Sequence, residues 1–279
     1  MAQPRRKLPN LEISNDVGFA RPTRFPEDPK FLCGDVSDAA CGRERLAMAR
    51  VLIDAGVSIE TEKGPAGMTR LQAAAFSHAV DAVDFLLECG ADPPAGEKGG
   101  TALHTVCWHR EESSGASNAT VQINKRLIAA GVDPNVRNQR GETPMHEAAF
   151  GDGANPTAVR TLLQHGADAD PVDHMGVTPL IAGAQFFSDP ECIRLLLDAG
   201  ADPLRKDAQG RSAIDVAESH LSFLRSSAEP EASEPPSDEL WELRPEQIAS
   251  RRNWSEKRLK NAIEILALLT EAAEKERSS

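Results

Sequence analysis

Between residues 67 and 221 the chain repeats one order of small, apolar and polar positions. Each opening carries a glycine, then a hydroxyl residue, then an apolar and small-residue run. The five openings are Gly67-Met-Thr-Arg-Leu-Gln-Ala-Ala-Ala, Gly100-Thr-Ala-Leu-His-Thr-Val-Cys, Gly141-Glu-Thr-Pro-Met-His-Glu-Ala-Ala, Gly176-Val-Thr-Pro-Leu-Ile-Ala-Gly-Ala and Gly210-Arg-Ser-Ala-Ile-Asp-Val-Ala. Their hydroxyl residues, Thr69, Thr101, Thr143, Thr178 and Ser212, are separated by 32, 42, 35 and 34 positions. A second marker closes each unit with two aliphatic residues and a glycine, at Gly56, Gly90, Gly131, Gly166 and Gly200. These glycines step by 34, 41, 35 and 34, so both markers agree on one unit length and one long insertion. Self-similarity at such a period is the signature of a stacked repeat.

The pattern predicts the elements of each unit. A hydroxyl residue before Pro144 or Pro179 is an N-cap followed by the residue best suited to the first helical position. Thr69 with Gln72, and more weakly Ser212 with Asp215, have capping-box spacing. Runs such as Ala73-Ala74-Ala75 and Ala148-Ala149 mark where two helices approach closely. A more apolar second helix follows, as from Val80 to Leu87, and a glycine stops it in the left-handed conformation. Gly-Ala-Asp or Gly-Val-Asp then leads into a hairpin-like loop. The unit reads helix, turn, helix, glycine stop, loop.

The motif Gly-x-Thr-Pro-Leu-His-x-Ala-Ala, followed by Leu-Leu-x-x-Gly-Ala-Asp, resembles the ankyrin repeat. The resemblance is strongest at residues 141–171 and 176–206 and extends over about 31–221. It implies an all-α solenoid of stacked helix-turn-helix units with projecting hairpin-like loops. The units fall at about 31–66, 67–99, 100–140, 141–175, 176–209 and 210–221, with 31–66 degenerate. Residues 1–30, polar and proline-punctuated, form a flexible N-terminal segment. The third unit carries a polar surplus at 111–119, expected as a flexible link between its helices. Residues 222–256 are an acidic, Pro/Ser-rich insertion of disordered composition. A capping helix at 257–279 is expected to shield the open end of the stack, with Ile263, Leu266, Ala267 and Thr270 sharing one face.

Composition narrows the function classes. The net charge of -12 and a pI near 5.1 argue against non-specific nucleic-acid binding, which rests on cationic neutralisation of phosphates. Mean hydropathy of -0.39 and the lack of any long apolar run argue against a membrane span. Five scattered cysteines suit a reducing cytosol rather than a disulfide framework, so a cytoplasmic protein is expected. With 9 Phe, 3 Trp and no Tyr, the chain holds fewer rings than an enzyme's core and pocket usually take.

No phosphate loop, nucleophile elbow or zinc-protease motif occurs. His104, Cys107 and His109 invite a zinc proposal, but His104 and His146 share one repeat position, where the family's imidazole bonds neighbouring loops. Asp92, Asp133, Asp168 and Asp202 also share a position, which favours loop-amide acceptors over catalytic carboxylates. The expected protein is not an enzyme, uses no cofactor or metal, and is a monomer.

The sharper signal is a stripe of rings. Seven residues after the capping hydroxyls stand Phe76, Trp108, Phe150, Gln185 and Ser219, with Phe186 and Phe187 able to continue the row. In ankyrin-repeat proteins this position lies on the concave, partner-contacting face, although lateral packing between rings would give the same pattern. The loop tips supply the second contact set, above all Arg140, Glu142, His174, Met175 and Arg211. These residues imply a module that binds a partner protein through the groove and tips as adaptor, inhibitor or regulator. The alternative is a scaffold or effector-type protein whose acidic insertion carries a separate activity.

Overall fold

The computed structural model describes residues 68–93, 100–108, 114–151, 154–185, 189–228 and 245–278, with parts of 46–54. The N-terminal segment, most of the first unit, Phe186, Phe187 and residues 229–244 of the acidic insertion lie outside the described residues. Beyond the partly described helical segment within 46–54, the described residues form these helices in order: α1 (Arg70–Phe76), α2 (Val80–Glu88), α3 (Ala102–Cys107), α4 (Ser114–Ala129), α5 (Pro144–Ala149), α6 (Pro156–Gln164), α7 (Pro179–Gln185), α8 (Pro190–Asp198), α9 (Ala213–Ala228) and α10 (Pro245–Ser278). No strand occurs among the described residues.

Their contacts sort the helices into two rows. The first helices α1, α3, α5, α7 and α9 pack in sequence, each against the next. Behind them run the second helices α2, α4, α6, α8 and α10, likewise in sequence. Helix α10 packs on both α9 and α8, so it occupies the place of a second helix in the last unit. The all-α solenoid expected from the repeat is the observed architecture.

The core fills the space between the rows with aliphatic side chains. Leu86, Leu103, Leu127, Met145, Leu162, Leu180, Ile193, Leu196 and Ile265 are fully buried, interleaved with Ala74, Ala148 and Ala158. Phe85 is the one aromatic residue of this core among those described. Small residues at the helix contacts allow close approach, which explains the shortage of rings.

Caps set where the helices begin. Thr69 Oγ1 accepts the N–H of Gln72, whose side chain accepts the N–H of Thr69 in return. Asn155 Oδ1 caps α6 by accepting from Ala158, and Asp189 caps α8 by accepting from Glu191.

Two expectations need correction. The surplus at 111–119 is not wholly a link, because α4 already starts at Ser114. Ala116 and Ala119 are good helix formers, and the Asn118–Gln122 side-chain bond supports the added turns at i,i+4 spacing. On α10 the buried face is Ala262, Ile265, Leu269 and Ala273, while Ile263, Ala267 and Thr270 are exposed. The run from Ala262 to Leu269 is apolar on two faces, so contact with α8 and α9 selects which is covered.

Candidate functional site

The loop tips are built on one repeated device. Asn138 Oδ1 accepts the N–H groups of Arg140 and Glu142. Asp173 Oδ1 does the same for Met175 and Val177, and Asp207 Oδ1 for Gln209 and Arg211. One short side chain thereby organises each tip through local backbone bonds. The Gly-Ala-Asp or Gly-Val-Asp carboxylates act similarly lower in the loop: Asp133, Asp168 and Asp202 accept from Asn135, Asp170 and Leu204.

Adjacent tips are joined through the backbone. His174 N–H donates to the carbonyl of Arg140 at 3.0 Å, and Ala208 N–H donates to that of Met175 at 2.8 Å. Gly141 sits in the same tip at φ +79°, where a Cβ would lie 3.0 Å from the backbone nitrogen of His174. Glycine is thus required there by both conformation and space.

A second set of bonds ties α1, α3 and α5 to the unit that follows each of them. His104 Nδ1 accepts the Thr101 N–H, and its Nε2–H donates to the carbonyl of Glu142 at 3.1 Å. His146 repeats this with the Thr143 N–H and the carbonyl of Val177 at 3.0 Å. Gln72 makes the equivalent link to Gly100. Burial lowers the His104 imidazole to about 4, and it lowers His146 as well. Both rings are neutral; Nδ1 of each closes the cap of its own helix and Nε2 joins that helix to the next unit. Cys107 is fully buried, which pushes its thiol up, and it donates to Asn124 Oδ1. Among the described residues no group of three His, Cys, Asp or Glu side chains is arranged to hold a metal ion.

The rings stand at the other end of the first helices. Phe76 is the last residue of α1, while Trp108 and Phe150 are the C-caps of α3 and α5. All three are exposed, Trp108 by 51 % and the two phenylalanines by 38 % each. Gln185, which ends α7, is half-buried, and Ser219 is exposed. Consecutive packing of α1, α3 and α5 sets these ends in one row. At 1.5 Å rise per residue, the rings lie roughly 10 Å along the helix axis from the hairpin side.

The tip residues form the complementary edge. Arg140 is exposed, with Nε 2.9 Å from a Glu142 carboxylate oxygen that also accepts from Asn138. His174 and Met175 are exposed, the latter by 51 %. Arg211 holds the Asp207 carboxylate through Nε and Nη2 at 3.0 and 2.8 Å. Burial tends to raise the Asp207 carboxyl, but the Arg211 bonds and the Gln209 amide keep it below the usual carboxylate range.

One residue of this surface escapes the sequence pattern. Four residues after the capping hydroxyl stand Ala73, Thr105, Glu147, Ala182 and Val216, so Glu147 alone is charged. It is half-buried on α5, and burial raises its carboxyl to about 7, with Glu142 adding and Arg140 opposing. The break in register was its only signal in the sequence. Phe223, 63 % exposed on α9, lies outside the repeat offset and gave none.

The ankyrin-repeat family model matches residues 113–207 in three copies. The chain is 32 % identical over 182 residues to Palmitoyltransferase AKR1 of Lachancea kluyveri, covering 62 % of this chain and 22 % of that protein. It is 34 % identical over 151 residues to the mouse B-cell lymphoma 3 protein homolog, covering 53 % and 32 %. With Protein PhlB of Serratia liquefaciens it shares 36 % over 127 residues, covering 45 % and 51 %. The chain therefore spans between about a fifth and a half of these relatives' lengths. No helix among the described residues is long and apolar enough to cross a membrane.

Proposed function

Because this chain is an ankyrin-repeat protein, we propose that it binds a partner protein through its ring row and loop tips, as an adaptor, inhibitor or regulator. Ankyrin repeats generally mediate protein–protein interaction, and the observation carrying the site is the exposed row Phe76, Trp108 and Phe150. Exposed aromatic side chains aligned on a rigid scaffold are what binding hot spots are made from. The tip residues Arg140, Glu142, His174, Met175 and Arg211 form the second contact edge. Gln185 belongs to the row as a polar neighbour, and Phe186 is retained from the sequence although it lies outside the described residues.

The role is non-catalytic, without cofactor, in a cytoplasmic monomer that does not engage nucleic acid. Free thiols at Cys89, Cys107 and Cys192 support the reducing compartment, and the acidic charge supports the last point. The test is capture of partners on the full chain, identification by mass spectrometry, and measurement of affinity for Trp108→Ala. Binding should weaken by about 1–3 kcal/mol, a moderate hot spot. Unchanged affinity together with a lowered Tm would assign the ring to packing and overturn the proposal.

A further inference from the structure

The ring row contains one acid, and its surroundings define what the partner must bring. Glu147 and Phe150 are three residues apart at the end of α5, so they share one helix face. Trp108 caps α3, the helix packed beside α5, and the Glu147 charge is close enough to act on the thiol of the preceding Cys107. Among the described residues no cation forms an ion pair with Glu147, and no side-chain donor satisfies its carboxylate. Arg140, the cation that acts on Glu147, is engaged by Glu142. Once Glu147 is ionised, above about pH 7, the cluster Glu147, Glu142 and Arg140 carries one negative charge in excess, on a chain whose net charge is -12.

A half-buried carboxylate has lost part of its hydration, and among the described residues no side-chain donor replaces it. The exposed Trp108 and Phe150 also favour a cation, because an aromatic ring's quadrupole is negative over its face. Resting on the ring-row reading above, we infer that Glu147, on the α5 face it shares with Phe150 and beside the helix that Trp108 caps, receives the ammonium or guanidinium of a lysine or arginine in a basic segment of the partner. An acidic segment would meet the excess negative charge. A purely apolar one would leave the carboxylate without a donor. The alkyl stem of a long basic side chain suits the site, since it packs on the rings while its head reaches the carboxylate.

The probes are four acetylated, amidated pentapeptides, Gly-Ser-X-Ser-Gly, with X as lysine, arginine, norleucine or glutamate. Each is titrated into the full chain while the Trp108 indole and the Glu147 and Phe150 amides are followed by NMR. The lysine and arginine peptides should bind about tenfold more tightly than the norleucine peptide, as one charge-assisted contact provides. Glu147→Gln should abolish that preference, and high salt should weaken it. Equal binding of lysine and norleucine peptides, or a preference surviving Glu147→Gln, overturns the inference. If the norleucine peptide binds as well as lysine but depends on Trp108, only the cation assignment fails. If no peptide shifts the ring signals and Trp108→Ala changes only Tm, both this inference and the ring-row reading fall.

Discussion

The units on either side of residue 177 solve the same stacking problem differently. In the middle units, the third residue of each first helix reaches into the next unit: Gln72 to Gly100, His104 to Glu142 and His146 to Val177. In the following unit that position is Ile181, fully buried and without a donor. Asp215, its counterpart in α9, turns back to accept from Ser212 within its own unit. The rings divide the same way, with Phe76, Trp108 and Phe150 on one side and Gln185 and Ser219 on the other. The middle thus combines polar links between units with an exposed aromatic surface. At this helix position the end of the stack uses apolar burial or a bond within the unit, and its links between units lie elsewhere, as from Arg205 to Asp170, from Ala208 to Met175 and from Arg194 to Glu264 on α10. Stability in a repeat array is a sum over neighbours, so differences between junctions have local consequences.

Acid should separate the two regions most strongly. His104 has an ordinary value of 6.5 and a folded value of about 4. As pH falls through that interval the unfolded chain takes a proton that the folded chain refuses, so stability drops by about 3 kcal/mol. His146 is shifted in the same direction. Glu147 acts oppositely, because its carboxyl is raised from 4.5 to about 7. Below pH 7 the folded chain takes the proton first, and stability rises on acidification by about 2 kcal/mol after allowance for its contact with solvent. The two slopes overlap and largely mask each other. Glu147→Gln removes the second: it should stabilise the chain by about 2 kcal/mol at pH 7.5 and then lose about 3 kcal/mol by pH 4.5. Urea midpoints across this range check the expectation, and parallel curves for the two proteins would contradict it. Hydrogen exchange should locate the loss at the Thr101 and Thr143 amides. In the later units the raised carboxyl of Glu276 works against any such loss, while those of Asp207 and Asp215 are held low by their hydrogen bonds and lose their contribution only as pH falls below the ordinary aspartate value.

A smaller contrast lies in the tip glycines. Gly141 and Gly210 have nearly the same left-handed φ, +79° and +76°. An added Cβ at Gly141 meets the His174 ring and crowds its backbone nitrogen, whereas at Gly210 it meets nothing within 4 Å. Alanine at Gly210 should therefore cost only the conformational penalty, about 1 kcal/mol. At Gly141 it should cost about 2 kcal/mol, because the His174–Arg140 backbone link must also move. Thermal unfolding of the two variants compares them directly. Equal losses would mean that neighbouring tips are not held in register by that bond.

Much of this is legible in the sequence, because the repeat states its physics five times. The capping hydroxyls, the stop glycines and the exposed ring offset are each set by local geometry, and local geometry shows in spacing. The active face of α10 was not legible, since Ile263 and Ile265 are equally apolar and only the neighbours α8 and α9 distinguish them. Glu147 was passed over for a related reason. A charge inside a small-residue run looks like a solvated face until its burial is known. The start of α4 was obscured by Ser, Gly and Asn in the first turns, which composition assigns to a loop and helix propagation overrides.

The mildest change tests whether the junctions differ by more than one side chain. The carbonyls of Glu142 and Val177 each accept an N–H from their own hairpin, from Asn138 and Asp173, besides the imidazole of the preceding unit. The carbonyl of Arg211 accepts the equivalent N–H of Asp207. Among the described residues no side chain occupies its second acceptor direction. Thr178 already caps α7 through its bond to the Ile181 amide. Ile181→His should therefore place Nδ1 against the Thr178 N–H and Nε2–H against the Arg211 carbonyl. The new bonds offset lost apolar burial, leaving stability at pH 7.5 within about 1 kcal/mol of the parent. The variant should also acquire the acid sensitivity of the middle units, losing stability below pH 6.5 where the parent's last units do not. A loss well beyond that margin at pH 7.5 would show that the later junction is shaped for an apolar side chain throughout. In that case the contrast between the two regions would belong to the backbone and not to residue 181.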